Sequence, residues 1–361
     1  MNRSNRLRGS AAPAGVLLAA LALASAPAFA DNHDHDGRDV LVVTSSNSPA
    51  GNSVLVFKLE TGPQPALILT ETLPTGGKGG ASGNAGIVQF QGALGAVANY
   101  GSSTVTRLVR KGDSIAVDGT LLLARGCQQP DSVAISDRHL FVVGTNCAES
   151  LAWPQGGPAG AVVALTDPSA GQIAVGDSWA AVTLKSGSVL QLPLRADGAL
   201  RGGATTITLP AQANDTPLGA AFWDDNLGFT PAHSTDSFAI VNPQRQVFPI
   251  AGPAPSFPSN APCWVAKGPG NVWYTGNSPG QAVSVFFSDD QGGAFYKSVP
   301  VPGVVTDLSV SPDGRWLAAI YTDGGSGYVT VFAIDVYGGL TQVATSGAVG
   351  VAAFSGMAIS Q

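Results

Sequence analysis

Short apolar runs with no helical period fill the chain after residue 30, and turn residues separate them at regular intervals. Residues 307–310 alternate as an inner strand, and Ser311-Pro312-Asp313-Gly314-Arg315 reads as a tight turn in which Pro presets φ and Asp-Gly supplies the reversal. Residues 316–321 and 328–334 form two further strands, and a turn at Gly338-Gly339 leads to a fourth. The same pattern recurs with second strands starting at Leu41, Leu94, Leu140, Trp179, Leu227, Val272 and Leu317, and the steps between them average 46 residues. That period suits a four-stranded blade. A single blade cannot bury its own faces, so stacked units supply the core. Residues 356–360 repeat the inner strand at 132–136, yet no second strand follows them in the sequence. A lone opening strand at the end of the chain is explained if it completes the first unit. The pattern therefore predicts an all-β, seven-bladed β-propeller over residues 39–361, closed by the C-terminal strand completing blade 1.

Composition changes this picture little. Charged residues make up 12 %, half the usual share, while 46 glycines and 25 prolines match many short strands and turns. Residues 1–30 stand apart. Arg3, Arg6 and Arg8 make a basic start, residues 16–24 are apolar, and Ala28-Phe29-Ala30 fits the small-x-small cleavage rule of a signal peptide. The apolar stretch is short for a membrane span. An exported protein, periplasmic or extracellular, with no membrane span after cleavage, is expected. Removing three arginines takes the formal charge from −6 to −9. An acidic chain without a basic run argues against nucleic acid as partner.

Residues 31–38 read as a flexible acidic, histidine-bearing tail. Its first residues, Asp31, Asn32 and His33, would offer an amine, two amides and an imidazole in the square plane that Cu(II) or Ni(II) favours; no other cofactor is expected. Cysteine spacing gives a further expectation. A turn at Asp137-Arg138 pairs the first two strands of blade 3, and this register sets Cys127 almost opposite Cys147. In an oxidising compartment they should form a disulfide.

The run Asn99-Tyr100-Gly101-Ser102-Ser103-Thr104-Val105-Thr106-Arg107-Leu108 and the blade 7 turn resemble the lactonase-type, YVTN-repeat propellers, a group that includes propeller-type 6-phosphogluconolactonases. The resemblance covers the mature chain. It implies that the residue before each inner strand faces the ligand-binding mouth of the central channel. Those positions are Ala85, Asp131, Gly171, Leu218, Cys263, Thr306 and Ser355. It also implies a histidine at Asp131, an Arg-His pair at Leu218-Gly219 and a glutamate near Ala232, none of which this chain keeps. A lactone hydrolase needs a water-activating group and donors for an oxyanion, and a phosphorylated substrate needs basic groups.

Candidate mouth residues are Tyr100, Asp131, Glu149, Trp153, His233, Asp236, Cys263, Trp264 and Thr306. Asp131, His233 and Cys263 are the candidates for catalysis, with Asp236 as a partner for His233. Residues 146–160 read as a long loop carrying Glu149 and Trp153 over the mouth, His139 as exposed, and the glycine-rich 76–83 as a flexible connection. The chain reads as a monomeric, non-catalytic exported propeller that binds a protein, glycan or small ligand at its channel mouth. The alternative is a divergent lactonase-like hydrolase.

Overall fold

The computed structural model describes residues 39–81, 83–124, 126–231, 237–252, 261–350 and 355–361. They form seven four-stranded antiparallel sheets arranged as the blades of a propeller. Blade 1 is built from both ends of the chain: Ser355–Ser360 is its innermost strand and pairs with Val40–Ser45, so that Val42 faces Ile359 and Thr44 faces Met357. The Thr44 hydroxyl also donates to the Gly356 carbonyl at 2.7 Å. The expected closure is therefore present.

The second strands show why the repeat was visible. Along Val40–Ser45, Leu41 and Val43 pack toward blades 2 and 3, while Val42 and Val40 pack toward blade 7. Along His139–Gly144, Leu140 and Val142 join the first of these cores, whereas Phe141 and Val143 join one shared with blade 4. Side chains alternate with period two, and both faces are buried between blades, so the strand reads as an unbroken apolar run. Further cores join blades 4 and 5, 5 and 6, and 6 and 7. Every neighbouring pair of blades shares buried apolar surface, which is what holds a ring whose blades have no core of their own.

Three local expectations are corrected. Residues 146–160 do not form a lid: Cys147–Ala152 is the third strand of blade 3, paired with His139–Gly144. Its polar Glu149 and Ser150 hid the strand. Glu149 is buried, and both its carboxylate oxygens accept the Ala124 amide at 2.9 Å. His139 is buried rather than exposed, and burial lowers its pKa. In the glycine-rich connection, side chains at Gly77 and Gly79 would overlap Asn99 and the Asn47 backbone. Asn47 accepts the amides of Gly80 (2.8 Å) and Ala81 (3.1 Å), so this segment is packed against blades 1 and 2.

The expected disulfide Cys127–Cys147 is present, with Cα atoms 5.5 Å apart. The register explains it. Ser132 faces Val143, but Pro130 faces Gly144, so one residue is gained on the inner strand and the pairing steps by one before it reaches Cys127.

Candidate functional site

The residue gained at that step is Asp131. The same irregularity recurs at Gly171, Cys263 and Thr306, each left unpaired between two neighbours that do pair. These are four of the positions at which the family resemblance implies a channel-facing residue. A bulge bends its strand and re-aims the extra side chain, which gives a physical reason for their orientation. In blade 1 the unpaired residue is Gly356, one beyond the expected Ser355.

The ring is divided in character. Leu218 and Cys263 are buried in one apolar cluster together with Ala85, Ala261 and Trp264, and these come from blades 2, 5 and 6. The Cys263 thiol donates to the Ala261 carbonyl at 3.3 Å, and burial pushes its pKa up to about 12. It stays protonated at neutral pH and is a poor nucleophile. Trp264 packs within the same cluster and is not a stacking platform. A Cβ at Gly219 would lie 2.7 Å from Trp264 Cα and Val265 N. The backbone there leaves no room for the arginine or histidine that the resemblance implies.

The opposite sector is polar. The Asn84 side-chain amide donates to Asp131 Oδ1, and Lys185 Nζ donates to Asn84 Oδ1 at 2.8 Å. Asn84 and Asp131 are both buried, and Lys185 is half-buried. Burial pushes the Asp131 carboxyl up to about 7, against the opposing influence of Lys185 and of the Asn84 hydrogen bond. Burial likewise lowers the Lys185 pKa, against the pull of Asp131. Tyr100 opens a short 3-10 turn after Leu94–Asn99, and its phenol pKa is raised first by burial and then by the charge of Asp131. Three successive blades thus bring together a carboxyl, an amide, an amine and a phenol. The carboxyl is poised between its two forms near neutrality, as acid–base chemistry or ligand exchange requires.

Asn84 and Lys185 were not foreseen. Lys185 directly follows the second strand of blade 4, as Tyr100 follows that of blade 2. Superposing the ends of second strands, as well as the starts of inner ones, would have found it. Asn84 lies in the connection before the innermost strand of blade 2 and carries no repeat signal.

The remaining expected residues distribute as follows. Thr306 sits on its bulge with a buried hydroxyl that has no hydrogen-bond partner. Glu149 lies within a third strand, away from the channel-lining strands. The Trp153 amide donates to the Arg138 carbonyl at the hairpin turn, at the far end of blade 3 from Asp131, and its ring packs in the core. Neither Glu149 nor Trp153 overhangs the mouth. His233, Asp236 and Ala232, and the tail residues Asp31, Asn32 and His33, lie outside the described residues. Among the described residues no group of three or more His, Cys, Asp or Glu gathers as a metal site. No helix among them is long and apolar enough to cross a membrane.

A cavity of about 240 Å³ is lined by residues of the inner strands and their approaches, among them Gly86, Gln172, Phe222, Lys267, Asp307 and Ser309. Asp307 is buried and accepts the Leu308 amide at 2.8 Å, while its Oδ2 has no hydrogen-bond partner. Burial pushes its carboxyl up to about 7, and the amides of Leu308, Met357, Gly356 and Gly86 counter by favouring the charged form.

Comparison with known proteins places the fold. No family model and no curated protein matches the sequence. Among solved structures, the chain is similar to a protein from Lactobacillus plantarum at 11 % identity and a TM-score of 0.67, over 90 % of this chain and 100 % of that one. It is similar to a periplasmic gluconolactonase of Pseudomonas aeruginosa at 14 % identity and a TM-score of 0.63, over 90 % and 99 % of the two chains. A putative 6-phosphogluconolactonase from Bacteroides fragilis gives 12 % identity and a TM-score of 0.62, over 92 % and 100 %. At such identities the likeness shows a shared seven-bladed architecture; function has to be argued from the site.

Proposed function

We propose that this propeller binds a small, hydroxyl-bearing ligand of the sugar-lactone or sugar-acid class over Asp131, Asn84, Lys185 and Tyr100. The observation that carries the reading is the convergence of these four polar side chains on one sector of the mouth, facing an apolar plug. A ligand hydroxyl donated to Asp131 would offset the burial that holds this carboxyl at about 7. Lys185 would meet a ligand carboxylate or carbonyl. The names of two structural neighbours, a gluconolactonase and a putative 6-phosphogluconolactonase, agree with that ligand class. Export is part of the reading, supported by the signal-like first 30 residues and by a disulfide.

A second reading has its own support. A carboxyl that titrates at about 7 can serve as a general base at neutral pH, so hydrolysis of a lactone by Asp131 is the catalytic alternative. The closed backbone at Gly219 weighs against the phosphogluconolactonase form of that chemistry.

Thermal denaturation with glucono-1,5-lactone and with gluconate tests the binding reading. Ligand at about a hundred times its dissociation constant should stabilise the fold by about 2.7 kcal/mol. The shift should vanish in Asp131→Asn and Lys185→Met. No shift with either probe, or a shift that survives both substitutions, would sink the proposal. Lactone hydrolysis lost in folded Asp131→Asn would favour the catalytic reading instead.

A further inference from the structure

The path by which the chain reaches Asp131 is built with unusual care. The segment from Cys127 to Pro130 runs along the end of the second strand of blade 3 and the turn that follows it. Gln128 donates its amide to Asn146 Oδ1 at 3.0 Å and accepts the Thr145 amide at 3.2 Å. A Cβ at residue 144 would overlap the Gln128 carbonyl oxygen, so this approach requires Gly144. Gln129 then adopts a left-handed conformation, φ 50°, and its amide donates to Ser103 Oγ at 3.0 Å. The strand ladder begins only at Pro130, and Asp131 immediately falls out of it.

A bulged residue is not directed by the ladder, because it has no pairing partner of its own. Its aim depends on how the chain is held on either side. On the C-terminal side, Ser132 pairs with Val143. On the N-terminal side, Pro130 pairs with Gly144, and beyond it the holding contacts are exposed hydrogen bonds between neutral groups at Gln128 and Gln129 and one covalent link, Cys127–Cys147. Exposed neutral hydrogen bonds exchange with water at little net cost. The covalent link does not. The cores on both faces of blade 3, around Leu140 and Val142 and around Phe141 and Val143, do not include either cysteine.

We propose that the Cys127–Cys147 disulfide is the positioning element of the mouth site, holding Asp131 in its buried place against Asn84, so that reduction frees the carboxylate while the ring stays folded. Reduction by a small dithiol delivers two electrons and two protons to the bridge and leaves two thiols, while the dithiol closes to its own cyclic disulfide. The thiol–disulfide state would then set whether the mouth presents a buried, near-neutral acid or a solvated carboxylate. The ionisable groups that face Asp131 are Lys185 and Tyr100, and Asn84 is its hydrogen-bond donor. The inference rests on the reading of Asp131 as the centre of the site. Its test follows the carboxyl itself, so it can fail while ligand binding stands, and the reverse.

The experiment uses the full mature chain labelled with ¹³C at the aspartate carboxyls, titrated by NMR before and after treatment with dithiothreitol. The Asp131→Asn variant assigns the signal and separates it from Asp307, which also titrates at about 7. In the oxidised protein the Asp131 midpoint should lie at about 7. After reduction it should fall toward the ordinary carboxyl range, about a thousand-fold change in proton affinity, with near-ultraviolet circular dichroism retained. The double variant Cys127→Ala, Cys147→Ala should reproduce this without reductant. A midpoint unchanged in the folded reduced protein or in the double variant would overturn the proposal. So would loss of the whole fold on reduction, which would make the bridge a support of the ring and not of the site.

Discussion

Asp131 makes a quantitative prediction about stability. Its carboxyl titrates at about 7 in the fold against 3.8 when free, chiefly because it is buried. The difference is about three pH units, and each is worth about 1.4 kcal/mol, so the charged form costs the native state on the order of 4 kcal/mol as a ceiling. The sign follows from proton counts. Between pH 3.8 and about 7 the folded chain keeps a proton that the unfolded chain has released, so this group's contribution to stability falls as pH rises through that window. Asp131→Asn removes the ionisation while keeping an oxygen to accept from Asn84. The variant should match the wild type near pH 4 and become progressively more stable than it up to pH 8, by at most about 4 kcal/mol. Asp307 has the same sign but is present in both proteins and cancels in the difference. Urea unfolding at pH 4.5, 6 and 8 reads the effect directly. Parallel pH profiles for the two proteins, or a variant less stable than wild type at pH 8, would refute the burial argument.

Three further outcomes are expected. Deleting residues 355–361 unpairs the edge of Val40–Ser45 and removes the buried Met357, Ala358 and Ile359. At roughly 1.5–3 kcal/mol per large buried apolar side chain, circular dichroism should show a large fall in melting temperature or no fold at all, and an unchanged melting point would deny the closure. Alkylation without reductant should label only Cys263, and only once the protein is denatured, because that thiol is buried and held near pKa 12; three labelled thiols by intact mass would refute the bridge. Correctly processed protein beginning Asp31-Asn32-His33 should bind one Cu(II) with a visible absorption band at neutral pH, and a band that persists in His33→Ala would place the metal elsewhere.

The architecture was legible because burial on two faces leaves a plain signature. Leu94, Trp179 and Val272 begin their strands where the repeat put them, and Leu41, Leu140, Leu227 and Leu317 lie one residue inside theirs. The strand Cys147–Ala152 was hidden because Glu149 is satisfied by a backbone amide from the neighbouring connection, a contact with no local trace in the sequence. The candidate site divides in the same way. Asp131 could be found because it stands at a repeated position whose geometry is set by a repeated bulge. Asn84 and Lys185 could not, because they meet only when blades 2, 3 and 4 are wrapped around one axis, and they are separated by 101 residues.

Two buried carboxyls, both held near 7, invite different conclusions because their partners differ in kind. The groups that favour the charged form of Asp307 are main-chain amides of blades 7 and 1 and of the segment entering blade 2, fixed by the ring itself. Such amides cannot turn away to admit a ligand, although Asp307 Oδ2 has no hydrogen-bond partner and the residue lines the cavity. Asp131 is met instead by the side chain of Asn84, which in turn accepts from Lys185, and both rotate and exchange partners at the cost of a hydrogen bond. A carboxyl kept out of water by replaceable side chains can give up those partners to an incoming hydroxyl. That difference, rather than the shared titration, is what favours Asp131 over Asp307 as the centre of the proposed site.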